Sequence, residues 1–169
     1  MRFHSAHIDN LRKLYVDQIQ HLLSAENQMV DALPKMLVAA TDPELKRMLQ
    51  DHLQETREQV SRLEQITQQW NGGLEAKRNK AVGALIEEGN DMIGDAKNDS
   101  VRDAVIIAAC QRIEHYEIAA YSSVRNFAEI VGETDQSGLL AKSLEEEARA
   151  EAALTAMAEG ANTRADRAA

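Results

Sequence analysis

The sequence predicts an all-α fold: four long helices forming two antiparallel hairpins, joined by a long crossover that carries an extra short helix. Three observations support this. Of 169 residues, 44% are hydrophobic but only 4% aromatic, with 8 Gly and 2 Pro, a mix rich in Ala, Leu, Glu and Gln that favours helix over strand. Apolar residues recur at helical spacing over long stretches. Two breaks between those stretches are short and one is long, which suits a bundle with a single crossover.

The first helix is marked by Leu11, Tyr15, Ile19, Leu22, Met29, Val30, Leu33 and Leu37, a stripe at helical spacing that begins at Ile8. Pro34 inside it should bend the helix, since it removes a backbone donor and crowds the preceding turn. In ATDPEL, Asp42 reads as an N-cap, Pro43 as the first helical residue, and Glu44 as a favourable charge against the helix dipole. The second stripe, Leu45, Leu49, Leu63, Ile66 and Trp70, carries that helix to about Trp70, where Asn71, Gly72 and Gly73 stop it. Residues 74–98 are polar at first and then carry Val82, Leu85, Ile86, Met92 and Ile93, as expected of a crossover with one short helix. The third long helix starts near Asn98 and ends at Val131 before Gly132. The fourth follows a turn over residues 133–138 and ends at about Glu159. Residues 1–160 are then one domain, and 161–169, without an apolar pattern, form a disordered tail. The connectivity is that of ferritin-like folds.

The formal charge of -9, from 19 basic and 28 acidic side chains, opposes nucleic-acid binding, which rests on Lys and Arg displacing counterions from phosphates. The longest apolar run, Ala104 to Cys110, is far too short to span a membrane, and the N-terminal residues have no signal-like apolar region. A cytoplasmic protein is expected. The single Cys110 excludes an intramolecular disulfide and a thiolate zinc cluster.

Acidic residues interrupt the apolar stripes. Glu26 lies at the centre of the first stripe, and His52 at the centre of the second with Glu55 and Gln59 on its flank. In QRIEHYEIAAY, Glu117 lies inside the third stripe and Glu114 at its edge, three residues apart and so neighbours on one face. In the fourth helix Glu147 falls between Leu140, Leu144 and Leu154, with Glu146 and Glu151 as alternatives. Glu26 and Glu55 lie at similar distances from the Asp42 turn, and Glu114 and Glu147 from Gly132, so all four helices should bring a carboxylate to one layer. Buried carboxylates cannot stay ionised alone. Two divalent ions would neutralise Glu26, Glu55, Glu114, Glu117 and Glu147, with His52 as a further ligand and Gln59 as the alternative from the second helix. A carboxylate and imidazole set without thiolates suits iron or manganese better than structural zinc. The competing arrangement has these glutamates reaching the surface or pairing with Lys and Arg. Tyr121, one turn from Glu117, is within reach of a ligand carboxylate, but a core tyrosine with its hydroxyl satisfied is the favoured reading. His115 points away from the layer and suits a surface or dimer contact.

The stretches LYVDQIQHLLSAENQMVDALPKM, ELKRMLQDHLQETREQVSRLEQI and QRIEHYEIAAYSSVRNFAEIVG resemble the YciE/YciF-type family of ferritin-like bacterial stress proteins, over most of the chain from Asn10 to Glu159. The resemblance implies a cytoplasmic homodimer with a carboxylate-bridged di-metal centre. The sequence departs from the usual di-iron pattern, in which two helices each give one Glu and two give Glu-x-x-His. Here His52-x-x-Glu55 reverses that order, and no histidine follows Glu147. Two functions remain open: a di-iron centre that oxidises Fe(II) or consumes dioxygen or peroxide, using an unidentified electron donor, or a stress-associated bundle whose metal is structural and which acts by binding a protein partner. No residue is assigned a catalytic role.

Overall fold

Each break in the apolar pattern is a capped helix end. The computed structural model describes residues 7–70 and 73–168 and forms α1 (Leu11–Ala39), α2 (Pro43–Gln68), α3 (Lys80–Asp95), α4 (Asp99–Val131) and α5 (Thr134–Arg167), with no strand among the described residues. Asn10 accepts a hydrogen bond from the Lys13 amide at 2.9 Å, so α1 starts at Leu11 rather than Ile8. It continues without interruption through Pro34. Asp42 caps α2 through the amides of Glu44 and Leu45, and Pro43 takes the first helical position. Asn79 caps α3 and Asn98 caps α4. Gly132 closes α4 at φ 86°, a left-handed conformation that favours glycine. Asn71 and Gly72, expected to stop α2, lie outside the described residues, as do residues 1–6 and 169.

The hydrogen bonds at the two ends fix the topology. At one end buried Asp103, in the second turn of α4, accepts from the Thr41 amide (2.7 Å), the Thr41 hydroxyl (2.6 Å) and the Asp42 amide (2.9 Å). At the other end Arg12 of α1 donates to the Val131 carbonyl at 2.6 Å and pairs with Glu133 at 2.5 Å. The start of α1 therefore meets the end of α4, and α2 runs parallel to α4. Both α1/α2 and α4/α5 are antiparallel hairpins. The crossover helix α3 packs outside α1 and α4. A Cβ added at Gly89 would meet the Ala109 Cβ at 3.0 Å, so a side chain there would push α3 off α4.

The fourth long helix corrects two expectations. Residues 134–138 are already its first turn, and residues 161–167, expected to be disordered, are helical. Ala161 is 1% exposed, Arg164 pairs with Asp42 at 2.6 Å, and Arg164 and Arg167 sit favourably at the negative end of the helix dipole. No described helix is long and apolar enough to cross a membrane.

The core is split in two. One apolar cluster, around Met29, Leu33, Leu49, Ile106 and Ile113, fills the end near Asp42. The other, around Ile19, Leu63, Ile66, Val124 and Leu140, fills the end near Gly132. Between them lies a polar layer.

Candidate metal centre

Glu26 of α1, His52 of α2, Glu114 and Glu117 of α4 and Glu147 of α5 make up the ionisable part of that layer, each 3% exposed or less. Ligand atoms of His52, Glu114 and Glu147 lie within 4.8 Å of one another, and so do those of Glu26, Glu117 and Glu147. The spacing of Glu114 and Glu117 explains the pair of clusters: three residues apart on one helix face, each serves a different one. Glu147 belongs to both.

The polar atoms of this layer are poorly partnered. The His52 Nε2 lies 3.0 Å from Glu114 Oε1, an ion-pair distance that lacks hydrogen-bond alignment. Tyr121 donates to Glu26 Oε1 at 2.5 Å. With the acids ionised, both ring nitrogens of His52, both carboxylate oxygens of Glu114 and of Glu147, one oxygen of Glu117 and both amide atoms of Gln59 have no hydrogen-bond partner; a proton on Glu147 lets it donate to Glu114. Apart from these, only Trp70 Nε1 and Arg125 Nε are buried and unpartnered among the described residues. Buried polar groups are nearly always paired, so such a concentration in one layer needs a physical account.

Burial is the main force on the acids. It pushes Glu26 up to about 7, against the pull of the Tyr121 hydrogen bond and of His52. It raises Glu117 well above the ordinary carboxyl range, reinforced by Glu26 and Glu114. Glu147 is raised in the same way, by burial and then by Glu117, Glu114 and Glu26. Glu114 goes the other way: burial raises it, but the facing His52 more than offsets this. His52 is raised because Glu114 overcomes the burial that disfavours its charge. Burial also raises Tyr121, which stays a phenol able to donate.

Glu55 does not join the layer. It sits about 60° around α2 from His52, its side chain is 36% exposed, and it meets Arg149 of α5 at 3.3 Å. Of the alternatives on α5, Glu147 faces in. Glu146 is buried against Arg62, which also donates to Ser143 at 3.1 Å, and Glu151 accepts from Thr155 at 2.6 Å near the surface. The buried Arg62 was not anticipated; its signal was position, seven residues after Glu55 on the flank that faces α5. Between α2 and α5 an open groove of about 620 Å³ reaches the layer at His52, with Asp51, Glu55, Arg149 and Arg164 along its sides.

The donor set fits divalent cations: four carboxylates and one imidazole, in two clusters sharing one carboxylate, with lone pairs uncommitted to hydrogen bonds.

The family model described as "Domain of unknown function (DUF892)" matches residues 10–166. Protein YciF of Escherichia coli (strain K12) is 36% identical over 150 residues, 88% of this chain and 90% of that protein. Two solved structures superpose with a TM-score of 0.86. YcfI from Rhodopseudomonas palustris, described as a candidate structural protein, is 34% identical over 90% of this chain and 98% of its own. The E. coli stress protein YciF is 33% identical over 92% and 99%. A protein of Xanthomonas campestris pv. campestris shares the fold at a TM-score of 0.73 and 20% identity, over 91% of this chain and 94% of its own.

Proposed function

The chain belongs to the DUF892 family, and from that premise we propose that it is a cytoplasmic stress-response protein, acting as a homodimer, whose polar layer holds two divalent metal ions. Iron is the favoured metal, with manganese and zinc as alternatives. One observation carries this reading: the unpartnered buried polar atoms collect in a single layer, on residues that together form a carboxylate and imidazole donor set.

His52, Glu114 and Glu147 would hold one ion, Glu26, Glu117 and Glu147 the other. A redox-active pair held by these residues would supply electron transfer to dioxygen or peroxide, or from Fe(II). The protein's own contributions are more specific. Glu147 ties the two positions together. Tyr121 orients Glu26 and keeps its phenolic proton on the Glu26 side of the layer. The apolar clusters on either side exclude water, which strengthens every charge interaction within. The groove beside His52 gives a small molecule or hydrated cation its approach.

A second reading, a bundle that works by binding a protein partner, is favoured by the description of the Rhodopseudomonas relative and by the His52–Glu114 pair, which offsets part of the buried charge without metal. Elemental analysis of protein purified without chelators separates the two. Two irons per chain with an oxygen-dependent absorption band support the redox reading, whereas folded protein that takes up no metal removes it. A Glu114→Ala variant should lose metal; undiminished binding would mean the site is misplaced.

A further inference from the structure

Gln59 is an uncharged side chain left in the interior without a hydrogen bond. It is 0% exposed, and neither its amide oxygen nor its amide nitrogen has a hydrogen-bond partner. A buried glutamine serving only the fold would use its donors and acceptor on neighbouring groups, since leaving them unmade costs the full desolvation of the amide. Carboxylate acceptors lie in the adjacent layer, yet the amide donates to none of them.

Its position on α2 explains what it can reach. Gln59 follows His52 by seven residues, two turns along the same face and about 20° around the helix, so both point toward the bundle axis. The two clusters are stacked in the same direction. Glu114 faces His52, and α4, parallel to α2, then carries Glu117 and Tyr121 further along. The cluster of Glu26, Glu117 and Glu147 therefore lies between the levels of His52 and Gln59. Helical side chains lean toward the N-terminus of their own helix, and for Gln59 that direction is back toward the carboxylates. Each cluster draws on three of the four helices' ionisable groups. The one of His52, Glu114 and Glu147 has α2, whereas that of Glu26, Glu117 and Glu147 has none from it.

We propose that Gln59 supplies the missing donor from α2, its amide oxygen binding the cation held by Glu26, Glu117 and Glu147. This rests on the metal reading of the layer. It also makes the two positions chemically different: one has an imidazole ligand, the other oxygen only. Softer, nitrogen-preferring ions such as zinc select the first, and oxygen-preferring ions such as manganese bind well at the second.

Calorimetric titration of the metal-free full chain with Mn(II) tests the proposal, together with Gln59→Met and Gln59→Glu variants. Wild type should bind two ions. Gln59→Met should weaken one site on the order of tenfold or more and leave the other within about twofold, while Gln59→Glu, which restores an oxygen donor, should keep both. Thermal melts give a readout independent of metal: metal-free Gln59→Met should melt several degrees above wild type, because an unpaired amide has been replaced by an apolar side chain of similar size. Two unaltered sites in Gln59→Met would overturn the role of Gln59 while leaving the metal reading intact. A wild type that binds no Mn(II), Fe(II) or Zn(II) would overturn both. If Gln59→Met does not fold, a Gln59→Glu protein with one site lost would refute the proposal by itself.

Discussion

Removing metal should reverse the pH dependence of this protein's stability. Glu26 is raised from 4.5 to about 7, chiefly by burial. A carboxyl raised in the folded state lends stability that is fully present below its unfolded pKa and is lost as pH climbs through the folded value, because the unfolded chain ionises first. For Glu26 that gap corresponds to roughly 3 kcal/mol, lost between about pH 4.5 and 7. Glu117 and Glu147 are raised and act in the same direction. So does His52, whose raised value adds stability at low pH that disappears as pH passes it. Glu114 is lowered; its contribution is present above the ordinary carboxyl value and is lost only in more acid solution, so it does not counter the trend. Metal-free protein should therefore melt roughly 6–12 °C lower at pH 8 than at pH 5, taking Glu26 alone. With Mn(II) or Fe(II) in excess the slope should turn positive, because a cation needs the deprotonated ligands and competes with protons for them. Thermal melts by circular dichroism at intervals from pH 5 to 8, with EDTA and with metal, measure both slopes. Metal-free protein whose stability is flat or rises across that range would refute the argument, since the acids of the layer would then be ionised without cost.

Glu147→Gln should abolish or severely weaken both metal positions, whereas Glu26→Gln should remove one, as counted by titration with Mn(II). Glu55→Ala should leave metal stoichiometry unchanged and alter stability by less than about 1 kcal/mol in urea denaturation, because it breaks only a half-exposed pair with Arg149. Tyr121→Phe, which removes the donor to Glu26, should weaken metal binding on the order of tenfold with the fold intact, read by the same titration. Asp103→Ala leaves the Thr41 and Asp42 amides without their acceptor and should cost about 3 kcal/mol in urea denaturation without changing metal stoichiometry.

The helix ends were legible where local chemistry decides them. Asp42 with Pro43 and the glycine at 132 define their caps by short-range sterics and hydrogen bonds, and no tertiary contact is needed to read them. The end of α5 was not legible, since what holds residues 161–167 in helix is burial of Ala161 and the reach of Arg164 to Asp42, two contacts made by distant segments. The site divides in the same way. Helical phase places Glu26, His52, Glu114, Glu117 and Glu147 on inward faces. It could not decide Glu55, whose side chain lies near the edge of the inward arc, because the outcome depends on Arg149 waiting on α5. Nor could it separate Glu146 from Glu147, adjacent residues that are both buried.

Those two residues show what the layer is for. Glu146 is a buried carboxylate handled as structure requires: Arg62 neutralises it, Ser143 steadies the guanidinium, and the charge is satisfied within the protein. Glu147, the next residue on the same helix, pairs with no arginine or lysine of the described residues; it faces Glu26, Glu114, Glu117 and His52, and the hydrogen bond open to it, to Glu114, requires that it hold a proton. The fold can thus place an arginine against a buried acid in this part of the bundle. Apolar side chains in place of the layer would join the two hydrophobic clusters and would be at least as stable. A layer of acids kept close together, short of partners and flanked by Tyr121 and Gln59, costs stability once ionised, and a bound cation returns it without a proton. The contrast between neighbouring glutamates therefore argues for occupancy by cations more strongly than the number of acids does.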